Sequence, residues 1–143
     1  EAPVTFQAGT LNLEGIVGLN AAIKYVMNVG LDNIRAHEIE LKKYAVEKLL
    51  ETGVVEIYNV NSEAGIVTFN VKDLFAQDAA TYLNSKGIAC RSGNHCAKIL
   101  NDFLKTPATV RASFYFYTTK EDVDALVEAV KVAKEEFLNA YFI

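Results

Sequence analysis

Val54-Val55-Glu56-Ile57-Tyr58 and Gly65-Ile66-Val67-Thr68-Phe69-Asn70-Val71 are two short runs rich in β-branched and aromatic residues, separated by the polar segment Asn61-Ser62-Glu63-Ala64. Branched side chains favour extended backbone, where they pack well on a pleated surface. The runs therefore predict two strands joined as a hairpin. Upstream, the apolar spacing is helical. Ile16, Leu19, Ile23, Val26 and Met27 share a face, and Gly30 stops that helix. Asp32 or Asn33 can cap a second helix, with Ile34, Leu41, Ala45 and Leu49 on one face and Gly53 at its end.

Downstream, residues 76–86 read as a helix closed by Gly87, and Ile88-Ala89-Cys90 as a third short strand followed by the loop Arg91 to Cys96. His95 to Leu104 predicts a short helix ended by Thr106-Pro107, and Val110 to Phe116 a strand with Arg111 inside it. Thr118 and Thr119, each with an acid three residues on (Glu121, Asp122), offer a capping box. The last helix then carries Val123, Leu126, Val127, Val130 and Phe137 on one face. There is no internal repeat, linker or low-complexity tract. The expected fold is α+β, a small and mostly antiparallel sheet covered by helices. It forms a single domain over 1–143, with residues 1–30 as a connecting turn and helix and 31–143 as the α+β core.

Composition bounds the function. The chain has 143 residues, one domain's worth, and 51% of them are hydrophobic. Mean hydropathy is +0.13, in keeping with a folded, soluble globule. Eighteen acids against 14 bases give a net charge of −4, with no electrostatic footprint for nucleic acid. No apolar run is long enough for a membrane span. Glu1-Ala2-Pro3-Val4-Thr5-Phe6 lacks an initiator methionine and the features of a signal peptide, so the chain reads as a piece of a longer protein. Two cysteines only six positions apart suggest no disulfide framework, and a reducing, cytoplasmic compartment is the default.

Arg91-Ser92-Gly93-Asn94-His95-Cys96 places a guanidinium, a glycine, an imidazole and a thiol within six residues. The thiolate is the reactive form of cysteine, and nearby cations favour it. A guanidinium offers a bidentate fork for a carboxylate. Such a segment can present a nucleophilic sulfur to a small substrate bearing a carboxylate. The competing reading is a cysteine that merely packs. Cys90, at the end of an apolar run, fits that reading better than Cys96. Cys90, His95 and Cys96 are also metal-ligand types, but three ligands fall short of the four of a structural zinc site, and no metal is expected. If the strand ending at Arg91 neighbours the strand holding Arg111, both guanidiniums can face one cleft and one can hold a carboxylate. The alternative for Arg111 is an ion pair with a surface acid.

Gly87-Ile88-Ala89-Cys90-Arg91-Ser92-Gly93-Asn94-His95-Cys96-Ala97 resembles the C-terminal signature of the pyridoxal-phosphate-dependent cysteine desulfurases. The resemblance is to the Suf-type (group II) branch, which includes the selenocysteine lyase-like enzymes of the class V aminotransferases. Val110-Arg111-Ala112-Ser113 resembles that family's R-A-S strand. Phe6-Gln7-Ala8-Gly9-Thr10 resembles its F-E-A-G-T-P turn, and Gly30-Leu31-Asp32-Asn33-Ile34 a later turn. The resemblance implies the C-terminal small domain of a fold type I enzyme that binds pyridoxal 5′-phosphate and works as a homodimer. It implies removal of sulfur from L-cysteine, or selenium from L-selenocysteine, to give L-alanine. The sulfur is held as a persulfide on Cys96 for an acceptor protein, as in iron-sulfur cluster assembly.

By position, the resemblance makes Cys96 the persulfide-forming residue and His95 the histidine just before it. Arg111 becomes the arginine that binds the substrate α-carboxylate, and Arg91 a second active-site arginine. Gly9 and Thr10 fall on the turn that reaches the cofactor phosphate of the partner subunit. Leu11 replaces the usual proline, Asn94 stands where many members have a second histidine, and Ile99 where a proline is common. The family's Schiff-base lysine context is not in this sequence, so these residues alone are expected to be inactive and to bind the cofactor weakly. Two other readings stand beside this one. One is a stand-alone sulfur carrier or interaction module without the cofactor. The other is a class V aminotransferase-fold enzyme that uses no cysteine nucleophile.

Overall fold

The strands around Val67 and Phe69 organise the structure, a computed structural model that describes residues 2–141. In chain order the elements are α1 (Leu13–Val29), α2 (Leu31–Glu51), β1 (Val55–Ile57), β2 (Ile66–Val71), α3 (Ala76–Ser85), β3 (Arg91–Gly93), α4 (Lys98–Phe103), β4 (Thr109–Ser113) and α5 (Lys120–Tyr141). They fall into two compact units, residues 1–34 and 35–143.

In the first unit a short 3-10 turn, Val4–Phe6, precedes α1. Asn12 caps α1 by accepting from the Gly15 N–H at 2.9 Å. The apolar spacing does produce a helix, but its apolar face stays open: Ile16, Leu19, Ile23 and Met27 are all exposed.

The second unit holds a four-stranded sheet in the order β1-β2-β4-β3, antiparallel at every pair. The registers set Val55 opposite Val71, Phe69 opposite Val110 and Val67 opposite Ala112. All of these side chains are buried on one face, where Leu41 and Leu49 of α2, Leu83 of α3 and Val123 and Val130 of α5 complete the core. Because side chains alternate along a strand, the other face receives Thr68, Arg111 and Arg91, aligned in one row across β2, β4 and β3.

The expected hairpin and the α+β class are present. The third strand, however, is Arg91–Gly93 and not Ile88–Cys90. The reason is the end of α3. Gly87 takes φ +79°, its N–H bonds the Asn84 carbonyl, and the Ile88 N–H bonds the Leu83 carbonyl, each at 3.0 Å. That is a Schellman closure, and it takes up the Ile88 amide that a strand would need. The helix expected from His95 starts only at Lys98. Likewise β4 stops at Ser113, where a tight turn over Tyr115–Thr118 begins, closed by the Thr118 N–H on the Tyr115 carbonyl at 2.9 Å. Of the two capping threonines, Thr119 makes the reciprocal box: the Thr119 N–H bonds the Asp122 carboxylate at 2.8 Å, and the Asp122 N–H bonds Thr119 Oγ1 at 3.2 Å. Thr118 instead accepts from the Tyr115 N–H.

Candidate active site

Strand β3 is three residues long, and its pairing positions the site. Arg91 lies directly opposite Arg111, Ser92 opposite Val110 and Gly93 opposite Thr109. The two guanidiniums therefore leave the same face of the sheet side by side. Arg91 is exposed and Arg111 half-buried. The Arg111 Nε is buried with no hydrogen-bond partner, and among the described residues neither arginine has an acid paired to it. The ion pair weighed for Arg111 is thus not made. Like charges directly opposite are unfavourable in a sheet, and an unpartnered buried donor adds a desolvation cost. Both costs are relieved by an anion between the two side chains.

Gly93 ends the strand with φ +124°, a backbone that only glycine adopts without strain. The chain then makes a tight turn. The Ala97 N–H bonds the Asn94 carbonyl at 2.8 Å, and both central residues, His95 (φ +51°) and Cys96 (φ +58°), are left-handed. This is the pattern of a type I′ turn, which glycine and asparagine ordinarily fill. For residues with a Cβ each such position costs of order 1–3 kcal/mol, and strain of this kind gathers at functional sites. The turn holds Cys96 exposed at its tip. The left-handed pair also explains why α4 starts late.

His95 is half-buried, and its Nε2 donates to the Thr109 carbonyl at 3.0 Å. The other ring nitrogen, Nδ1, is buried without a partner. Thr109 and Arg111 lie two apart on β4, so His95 is tied to the strand that carries Arg111. Cys90 differs from Cys96. It packs against the core, and burial pushes its thiol up to about 11.

Cys96, His95, Arg91 and Arg111 thus belong to one assembly at β3, its turn and β4. Gly9 and Thr10 lie in the first unit, exposed before α1. A Cβ built on Gly9 would meet nothing within 4 Å, and Asn12 already takes one first-turn N–H of α1. Lys42, the one lysine among the described residues that is buried, donates to the Asn59 carbonyl at 2.7 Å and to the Ser62 carbonyl. Lys98 is paired with Asp102. These residues do not by themselves fit pyridoxal phosphate, since they offer neither an enclosed phosphate seat nor a buried lysine amine free for it. Among the described residues there is also no cluster of three metal-ligand side chains, and no helix long and apolar enough to cross a membrane.

Two residues of the assembly were not singled out from the sequence. Thr109 acts through its backbone carbonyl, which leaves no mark on residue type. Asn101 is buried in α4 and donates to Asn94 Oδ1 at 3.0 Å. A polar residue at a core-facing position of a short helix was the available signal.

The family model described as aminotransferase class-V matches residues 1–126. The chain belongs to the class-V aminotransferase family. Three similar proteins carry the name cysteine desulfurase. A probable cysteine desulfurase from Halalkalibacterium halodurans is 46% identical over 141 residues, which cover 99% of this chain and 35% of that protein. The apo structure of a cysteine desulfurase from Thermococcus onnurineus NA1 matches with TM-score 0.88 and 38% identity, covering 94% of this chain and 34% of that one. The cysteine desulfurase CsdA (S-sulfonic acid) from Escherichia coli matches with TM-score 0.88 and 33% identity, covering 95% and 34%. The class-V chain described here thus spans about a third of the length of these relatives.

Proposed function

We propose that this chain is the C-terminal small domain of a longer, homodimeric, cytoplasmic cysteine desulfurase of the Suf-type branch, which turns L-cysteine into L-alanine and holds the sulfur as a persulfide on Cys96. The observation that carries the reading is the row of two unpaired guanidiniums, Arg91 and Arg111, on the strands flanking an exposed cysteine in a strained turn. Two adjacent cations are suited to a carboxylate, and a carboxylate so held turns the rest of a small amino acid toward the loop. Arg111, half-buried with an unpartnered Nε, is the main fork, and Arg91 assists from the exposed edge.

The reaction assigned to Cys96 is attack of its thiolate on the substrate sulfur. A sulfur–sulfur bond forms and the substrate carbon–sulfur bond breaks. The electron pair stays with the carbon skeleton, which is protonated and leaves as alanine. His95, adjacent to Cys96 in the chain and held through Nε2 on the Thr109 carbonyl, is the residue we assign to proton handling in this step. Exposure of Cys96 suits delivery of the sulfur to an acceptor protein. The family is generally dependent on pyridoxal phosphate, which we assign chiefly to segments outside these residues, with Gly9 and Thr10 as an edge contact to the phosphate in a partner subunit. Two free thiols support a reducing compartment.

The test is incubation of the full-length protein with L-cysteine. L-Alanine formed one for one with mobilised sulfur supports the reading. Cysteine consumption without alanine contradicts it.

A further inference from the structure

We propose that Asn101 is a positioning residue for Cys96, acting through an amide clamp on Asn94. The inference rests on the reading that Cys96 is the nucleophile.

The turn that carries Cys96 is not self-sustaining. Its two central residues occupy backbone conformations disfavoured for side chains with a Cβ, and one backbone bond, Ala97 N–H to Asn94 carbonyl, closes it. Something outside the turn must fix its first corner. Asn101 is 4% exposed, and its Nδ2 donates to Asn94 Oδ1 at 3.0 Å. Its own backbone is anchored on both sides, with its N–H on the Ala97 carbonyl and its carbonyl taking the Thr106 N–H, each at 3.1 Å. Asn101 therefore joins the first residue of the turn, the last residue of the turn and the segment leading into β4. His95 is tied separately to Thr109 of β4. The turn is thus held at its first and last residues by Asn101 of α4, and at His95 by the strand that carries Arg111. Asn94 is itself exposed and gains nothing from burial, so its side chain serves the turn only through this bond.

A clamp of this kind alters where the sulfur sits and not how reactive it is in general. Its loss frees the turn to relax from the left-handed pair, and the thiol then spends less time aimed at a bound substrate. The expected signature is a fall in the rate of the sulfur step with little change in substrate binding, because Arg91 and Arg111 lie outside the clamp.

The experiment uses the full-length enzyme and two variants that break the same bond from opposite sides. Asn101→Ala removes the buried donor. Asn94→Ala removes the exposed acceptor and leaves packing intact, so it covers the case in which the buried substitution impairs folding. Each should slow single-turnover persulfide formation on Cys96 about tenfold, the size of one lost hydrogen bond in a constrained loop. The KM for L-cysteine and the alkylation rate of Cys96 by free iodoacetamide should both stay within about twofold. The double variant should be no slower than the slower single one. Asn94→Asp, whose carboxylate accepts the same bond, should recover most of the rate. An unchanged persulfide rate in Asn94→Ala, or a parallel rise in KM, overturns the proposal. Alanine production by Cys96→Ser separates the two levels. If that variant still turns L-cysteine into L-alanine at the parent rate, the nucleophile assignment fails. If it is inactive while the clamp variants are normal, the positioning role alone fails.

Discussion

Arg91 of β3 stands directly opposite Arg111 of β4, so two like charges share one row of an antiparallel sheet with no acid among the described residues paired to either. A pair of this kind weakens the sheet while the site is empty and favours binding of an anion. Arg91→Gln in the full-length protein should therefore raise unfolding stability by about 0.2–1 kcal/mol. The same change should weaken L-cysteine binding. Arg111→Ala should weaken it more, by about 1.5–3 kcal/mol, roughly ten- to a hundredfold. Spectroscopic titration with L-cysteine and denaturant unfolding of each variant check this. Normal binding in Arg111→Ala contradicts the assignment of the fork.

The two cysteines should separate cleanly under native alkylation. Cys96 is exposed, whereas Cys90 packs against the core with its thiol pushed up to about 11 by burial. Brief iodoacetamide treatment near neutral pH, mapped by mass spectrometry, should label Cys96 first. Faster labelling of Cys90 contradicts the geometry.

Cys90 also predicts an alkaline loss of stability. Its folded pKa of about 11 lies above its ordinary value of 9.0. Below pH 9 the thiol is neutral in both states and its contribution is fully present. As pH rises from 9 to 11, the unfolded chain releases the proton first, and stability falls. The effect is about 2–3 kcal/mol across that window. Cys90→Ala should lack this part of the decline, so the difference between the two proteins should shrink as pH rises through the window. A constant difference in stability from pH 8 to 11 rules it out.

The Thr119–Asp122 box gives a local stability prediction. Asp122 accepts from the Thr119 N–H and its own N–H is bonded by Thr119 Oγ1, so each side chain satisfies a free donor at the start of α5. Asp122→Ala should cost about 0.5–2 kcal/mol in chemical denaturation. Glu121→Ala, one residue earlier and outside that box, should cost a few tenths. Equal costs at the two positions contradict the box as described.

Much of this fold is legible in the sequence where one physical signal dominates. Val67, Phe69 and Val71 alternate as a half-buried strand requires, and Leu41, Ala45 and Leu49 return at helical spacing; all of them are buried. The third strand is misplaced by three residues because Ile88 is apolar in either setting, and only the bonds closing α3 reveal that its amide is already engaged. Apolar spacing gives helix α1 correctly but not the exposure of Ile16, Leu19, Ile23 and Met27, which depends on what stands against it. At the site, residue types point to Cys96, His95, Arg91 and Arg111. The left-handed turn and the Asn94–Asn101 bond are invisible there, since no glycine marks positions 95 and 96 and the partners lie seven residues apart.

The central claim is that Cys96 receives the substrate sulfur. Its most direct test is to mix the full-length protein with L-cysteine without an acceptor, trap sulfur species by alkylation, and locate the added sulfur by peptide mass spectrometry. The account predicts one extra sulfur on Cys96, abolished in Cys96→Ser together with alanine production. Extra sulfur on Cys90, or undiminished alanine production in Cys96→Ser, would contradict it.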